Sequence, residues 1–198
     1  MSTFFALLAL AAGLLAVVLI AARIASPASA WPAVRDMIGP AALPLAATVA
    51  GVATLGSLYY SEVVGFEPCP LCWYQRIAMY PLVAVLVVAW LRRDAGAGGY
   101  AWPLTAIGAA IAVWHYVLEW MPVDDSALCG PGGGCGVADF RVFGFVSLPF
   151  MALMGFAAIA GLVLVAADQR SQARAEGAPR GADTEPTHER AASGRPND

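Results

Sequence analysis

The sequence predicts an all-α integral membrane protein, built as a four-helix transmembrane bundle with one extra N-terminal transmembrane helix. Three observations carry this. Apolar residues fill 60% of the 198 positions and charged residues only 13%, a balance wrong for a water-soluble domain. Five segments, 3–22, 41–61, 71–91, 100–118 and 142–167, each approach the roughly 20 apolar residues that a helix needs to cross a hydrocarbon core of about 30 Å. Four of them carry no formal charge, and the third carries Arg76 alone, near its start.

Charge placement orients the spans. All eleven basic residues are arginines. Arg23 and Arg35 belong to the first connection, Arg92 and Arg93 to the third, and Arg170, Arg174 and Arg180 follow the last span. The second and fourth connections hold Glu62, Glu67, Asp124, Asp125 and Asp139, with Arg141 as the basic exception. The positive-inside rule makes the arginine-bearing loops cytoplasmic, so the N-terminus lies outside and the C-terminus inside. Both cysteine-bearing loops then face the oxidising side. A cleaved signal peptide ending at Ala28-Ser29-Ala30 is the rival reading of the start. It lacks a positive n-region and would put Cys69 and Cys72 in the cytosol.

The elements follow in order. The first span has no polar residue beyond Thr3 and reads as a peripheral helix. An Ala- and Pro-rich connection, 23–40, leads to the second span, whose Gly51, Thr54, Gly56 and Ser57 allow close approach of a neighbouring helix. After Tyr59-Tyr60, an acidic turn reaches the third span. The fourth carries His115 and ends near Glu119, and the loop beyond it holds Cys129 and Cys135, separated by Gly130-Pro131-Gly132-Gly133-Gly134, a segment expected to be mobile. Past Asp168 the chain turns polar and reads as a disordered cytoplasmic tail. The domains expected are therefore 1–40, an accessory helix and loop; 41–167, the bundle; and 168–198, the tail.

The chemistry concentrates at Glu67-Pro68-Cys69-Pro70-Leu71-Cys72. A residue before proline is pushed out of the helical region, so Cys69 reads as an N-cap with Pro70 at the first helical position. Thiols there meet unpaired backbone N–H groups and the positive end of the helix dipole, which favour thiolates. Arg76 follows Cys72 by four residues and Tyr80 follows Arg76 by four, placing sulfur, cation and aromatic ring on one helix face. A lone arginine in a span costs about 2.5 to 3.5 kcal/mol at the bilayer centre. It either snorkels to the headgroups or serves the cysteines, favouring the Cys72 thiolate.

The four cysteines form two pairs, one in each outer loop. Structural disulfides are one reading, but a Cys-x-x-Cys bridge closes almost no chain and staples poorly. A four-thiolate zinc site is disfavoured because the loops contain no histidine and the compartment is oxidising. Haem attachment needs histidine where Trp73 stands. Redox chemistry remains, with no metal expected. His115 is as well read as a buried neutral histidine bonded to a neighbouring helix as a proton donor, and Glu119 as interfacial, so neither receives a catalytic role.

The run from Cys69 to Leu82, Cys-Pro-Leu-Cys-Trp-Tyr-Gln-Arg-Ile-Ala-Met-Tyr-Pro-Leu, resembles the signature of the DsbB family, including its BdbC-like branch. The resemblance covers roughly 44–167. The vitamin K epoxide reductase family shares a four-helix bundle and quinone chemistry, but its loop pair precedes the Cys-x-x-Cys. The resemblance implies a thiol:quinone oxidoreductase of the bacterial cytoplasmic membrane that reoxidises a thioredoxin-fold, DsbA/BdbD-like partner. It also implies that Cys72 meets the quinone (ubiquinone or menaquinone) with Arg76 assisting, and that Cys69 exchanges with the loop pair. Cys129 would be attacked by the reduced partner, and Cys135 would pass the electrons on. Two features depart from the family pattern: the extra N-terminal helix and the short spacing of the loop cysteines.

Overall fold

The computed structural model describes residues 1–25, 29–94, 96–121, 129 and 134–177. Five long helices make up almost all of it: α1 Ser2–Ala25, α2 Ala30–Leu58, α3 Pro70–Arg92, α4 Ala97–Leu118 and α5 Leu148–Gly177. All five are long and apolar enough to cross a membrane. Helix is the form their sequences require in lipid, because it pairs every interior backbone N–H and C=O within the segment.

The last helix is the hub. α5 packs along α1, α2 and α4, while α3 closes the bundle between α2 and α4. Without a hydrophobic drive between helices in lipid, small residues set how closely they approach. A side chain at Gly13 of α1 would run into Met154 of α5, and one at Gly108 of α4 would occupy the space of the Phe156 ring. Phe156, Ile159 and Leu162 of α5 are fully buried, facing Leu82 and Leu86 of α3 across the core.

Three boundaries differ from the sequence expectation. α2 begins at Ala30 rather than 41 and takes Pro40 and Pro44 inside it, so the first connection is much shorter than the Ala/Pro composition suggested. α5 begins at Leu148 rather than 142: Val142 and Val146 instead exchange backbone hydrogen bonds across a tight turn in which Phe143 and Gly144 have positive φ, a conformation no helix accommodates. Hydropathy could not distinguish this apolar turn from helix. α5 also runs on to Gly177, so the polar segment from 168 starts as helix; the remainder of the expected tail, 178–198, lies outside the described residues.

The ends of the bundle differ in chemistry. At one end Asp168 of α5 accepts a 2.7 Å hydrogen bond from Trp31 Nε1 and lies 3.9 Å from the Arg23 guanidinium, which also sits over the Trp31 ring. Arg170 donates to the Asp94 carbonyl there. The other end gathers every cysteine, beside an aromatic cluster in which Tyr60 stacks on Phe66 and Phe140.

Candidate redox site

Cys69 caps α3 with φ −63° and ψ 165°, Pro70 occupies the first turn, and the Cys69 sulfur accepts the Cys72 backbone N–H at 3.4 Å. Both cysteines are free, with sulfurs 3.3 Å apart. His115, reaching over from α4, puts Nε2 3.8 Å from the Cys69 sulfur. Its Nδ1 lies 3.1 Å from Nε2 of Gln75, a buried α3 side chain that fixes the ring. The hydrogen bond from the Cys72 thiol, helped by His115 and the Cys72 N–H, outweighs burial and brings the Cys69 thiol down to about 4. The anion thus concentrates on the capping cysteine, where the helix terminus and the imidazole both favour it.

Cys129 and Cys135 form a disulfide, and it is buried: Cys135 is 0% exposed and Cys129 7%. The bridge packs with Leu71 and Leu118 on the upper ends of α3 and α4, and Cys69 sits against the same cluster. The fold therefore brings the oxidised pair to the free pair. The expectation of mobility concerned 130–134; residues 130–133 fall outside the described residues.

Beside the cysteines lies a cavity of about 450 Å³. That is within the roughly 300–1,000 Å³ typical of small-molecule sites. Cys69, Cys72, Arg76, Tyr80 and His115 line it, with apolar walls from α1, α2 and α5. Arg76 does not snorkel away. Its Nε donates to Ser57 Oγ at 3.0 Å and its NH2 group to the Ser57 carbonyl at 3.1 Å, with the guanidinium over the Trp73 ring. Ser57 stands just before the π-helical turn Tyr59–Val63 that ends α2, a distortion often found at functional sites. Among the described residues, the buried Tyr80 hydroxyl has no hydrogen-bond partner. An apolar chamber with a fixed cation and an unsatisfied hydroxyl suits a flat apolar ligand bearing carbonyl oxygens. Of the small residues predicted to pack α2, Gly56 meets Phe5 of α1 and Ser57 serves Arg76, whereas Gly51 faces open space.

An acidic pair borders the site. Glu119, just beyond α4, accepts a 2.5 Å hydrogen bond from the buried Ser147 hydroxyl, and Arg141 donates to the Glu119 carbonyl while stacking on Trp120. Burial pushes the Glu119 carboxyl above its usual range. Burial, then the nearby Cys69 charge, does the same for Asp139. Sequence reasoning named His115 and Glu119 without roles, read Ser57 only as a packing residue, and missed Gln75 and Ser147 as partners. Gln75 and Ser57 carried a signal only as polar residues within otherwise apolar spans.

The fold and the site define a multi-pass helical membrane protein with a thiol–disulfide centre at one end of its bundle. Residues 40–166 match the family described as "Disulfide bond formation protein DsbB", and the chain belongs to that family and supports disulfide bond formation. Similar proteins include "Probable disulfide formation protein C 1" of Bacillus anthracis, 46% identical over 114 residues, covering 55% of this chain and 79% of that protein. "Disulfide bond formation protein C" of Bacillus subtilis (strain 168) is 44% identical over 109 residues, covering 54% and 79%. "Probable disulfide formation protein C 2" of Bacillus cereus (strain ATCC 10987 / NRS 248) is 35% identical over 130 residues, covering 66% and 94%. No solved structure gives a significant match.

Proposed function

We propose that this chain is a thiol:quinone oxidoreductase that reoxidises a thioredoxin-fold, DsbA/BdbD-like partner outside the cytoplasm. One observation carries the reading: a free pair, Cys69 and Cys72, with Cys69 thiolate-prone, lies against a closed disulfide, Cys129–Cys135, at the wall of an apolar cavity holding a fixed arginine. The N-terminus is outside and the C-terminus in the cytoplasm of a bacterial cell, so the arginine-rich end of the bundle is internal. Residues 41–167 form the working core, 1–40 are accessory, and the C-terminal segment is cytoplasmic.

In this reading the partner's thiolate attacks Cys129, and its second thiol completes the exchange. The partner leaves as a disulfide, and Cys129 and Cys135 become thiols. Cys135 then attacks Cys69 of an oxidised Cys69–Cys72 pair. Closure of Cys129–Cys135 leaves Cys69 and Cys72 reduced, with two electrons moved and the sulfur bonds conserved. Cys72, Arg76 and Tyr80 would hold a ubiquinone or menaquinone head group, which when bound accepts two electrons and two protons. Arg76 orients a carbonyl oxygen by charge-assisted hydrogen bonding, and the apolar walls exclude water. His115 stabilises the Cys69 thiolate while the pair is open.

The test is quinone reduction by purified protein in detergent, driven by a reduced thioredoxin-fold donor, with Cys72→Ser beside the wild type. Rapid turnover abolished by the substitution is the expected result. Turnover that survives Cys72→Ser overturns the assignment of the site, and none with any of several quinones and donors overturns it in favour of a non-catalytic scaffold.

A further inference from the structure

We propose that the reduced site is also a metal site: Cys69 Sγ, Cys72 Sγ and His115 Nε2 form a Cys2His set for a thiophilic ion, with Zn²⁺ the reference case. These three atoms all lie within 4.8 Å of one another. For tetrahedral zinc with Zn–S of about 2.3 Å and Zn–N of about 2.0–2.1 Å, sulfurs stand about 3.8 Å apart and sulfur and nitrogen about 3.5 Å. To meet them the sulfurs, 3.3 Å apart, open by about 0.5 Å, Cys69 Sγ to His115 Nε2, at 3.8 Å, closes by about 0.3 Å, and Cys72 Sγ to His115 Nε2, within 4.8 Å, closes by up to about 1.3 Å. Two bundle helices present the ligands, so little ordering remains for binding to impose. The sequence argued against zinc because the loops hold no histidine; the third ligand instead comes from the side of α4.

The donor set selects the ion. Two thiolates and an imidazole favour Zn²⁺, Cd²⁺ or Cu⁺ over Mg²⁺ or Ca²⁺, and three protein ligands leave a fourth position for water. Binding moves no electrons: Zn²⁺ displaces the thiol proton of Cys72 and meets Cys69 as the thiolate it already is, and both sulfurs remain reduced. Gln75 supplies the outer partner. With Nε2 on the metal, Nδ1 keeps a proton, and half a turn of the Gln75 amide presents its oxygen to accept it. The site exists only while the pair is reduced. An ion bound there holds both thiolates and stalls any relay at that stage, a consequence that rests on the function proposed above; the metal site itself does not.

The experiment uses full-length Cys129→Ser/Cys135→Ser protein in detergent, so that only Cys69 and Cys72 can bind. Zn²⁺ affinity is measured by competition with a chromophoric chelator, and Cd²⁺ binding by thiolate charge-transfer absorption. One ion per reduced chain is expected, with none on the oxidised chain. His115→Ala should weaken Zn²⁺ binding at least tenfold, and Gln75→Glu should tighten it, since a carboxylate partner makes the ring a better donor. The tightening guards against a variant that merely fails to fold. Equal binding by reduced and oxidised chains, an unchanged affinity in well-folded His115→Ala, or weaker binding in Gln75→Glu overturns the assignment.

Discussion

His115 and Cys69 are 46 residues apart in the chain, yet the imidazole Nε2 of one lies 3.8 Å from the sulfur of the other. This approach joins the end of α4 to the cap of α3 and adds to the hydrogen bond from Cys72 that makes the first cysteine of the motif the anionic one.

Cys69 should therefore stay reactive in acid. In the reduced chain lacking the loop cysteines, iodoacetamide labelling of Cys69 should hold its rate from neutral pH downwards and fall only through about pH 4, where the thiolate gains its proton. An ordinary thiol, with a pKa near 8.5, loses about tenfold per pH unit throughout that range. His115→Ala should move the midpoint upward. A wild-type midpoint above neutrality would contradict the geometry.

Arg76→Ala should raise the quinone KM by about tenfold, the scale of one hydrogen bond to a charged group, with little effect on the donor KM. Ser57→Ala should have a smaller effect, because the Ser57 carbonyl still receives the guanidinium. A change confined to the donor KM would remove Arg76 from the quinone site.

Glu119 carries a pH-dependent cost. Burial raises its carboxyl, so the folded state favours the protonated form; the associated stability is present in acid and is lost as pH rises through the raised value. Glu119→Gln should accordingly raise the thermal midpoint in detergent more at pH 8 than at pH 5. Ser147→Ala removes the hydroxyl donor to a buried carboxylate and should cost about 1–3 kcal/mol. A midpoint unchanged by both variants at either pH would show that the contact contributes nothing.

Helix spacing offers a further check. Gly108→Ala places a methyl group where the Phe156 ring lies, and should cost about 1–3 kcal/mol by overpacking. Gly51→Ala meets open space and should be close to neutral in the same thermal assay.

The spans and the capped motif were legible because each is written locally: apolar length for the helices, and Cys-Pro for the cap of α3. Pro40 misled, since composition alone does not reveal that α2 continues through it. Val142 to Val146 misled because an apolar turn and an apolar helix share a hydropathy. The partners of the site were illegible for a different reason. Gln75 with His115, Ser57 with Arg76 and Ser147 with Glu119 are pairings between elements, fixed only when the bundle assembles.

α1 lies outside the stretch 40–166 that matches the family, yet Phe5, Leu8 and Leu15 form part of the cavity wall. The chamber is thus a mosaic, with its reactive side inside the family-matched stretch and one apolar side outside it. For the quinone proposed above, size and tail fit can be tuned by substitutions in a helix that carries no cysteine, while the sulfur chemistry stays untouched. This separation leaves the shape of the chamber adjustable independently of its cysteines.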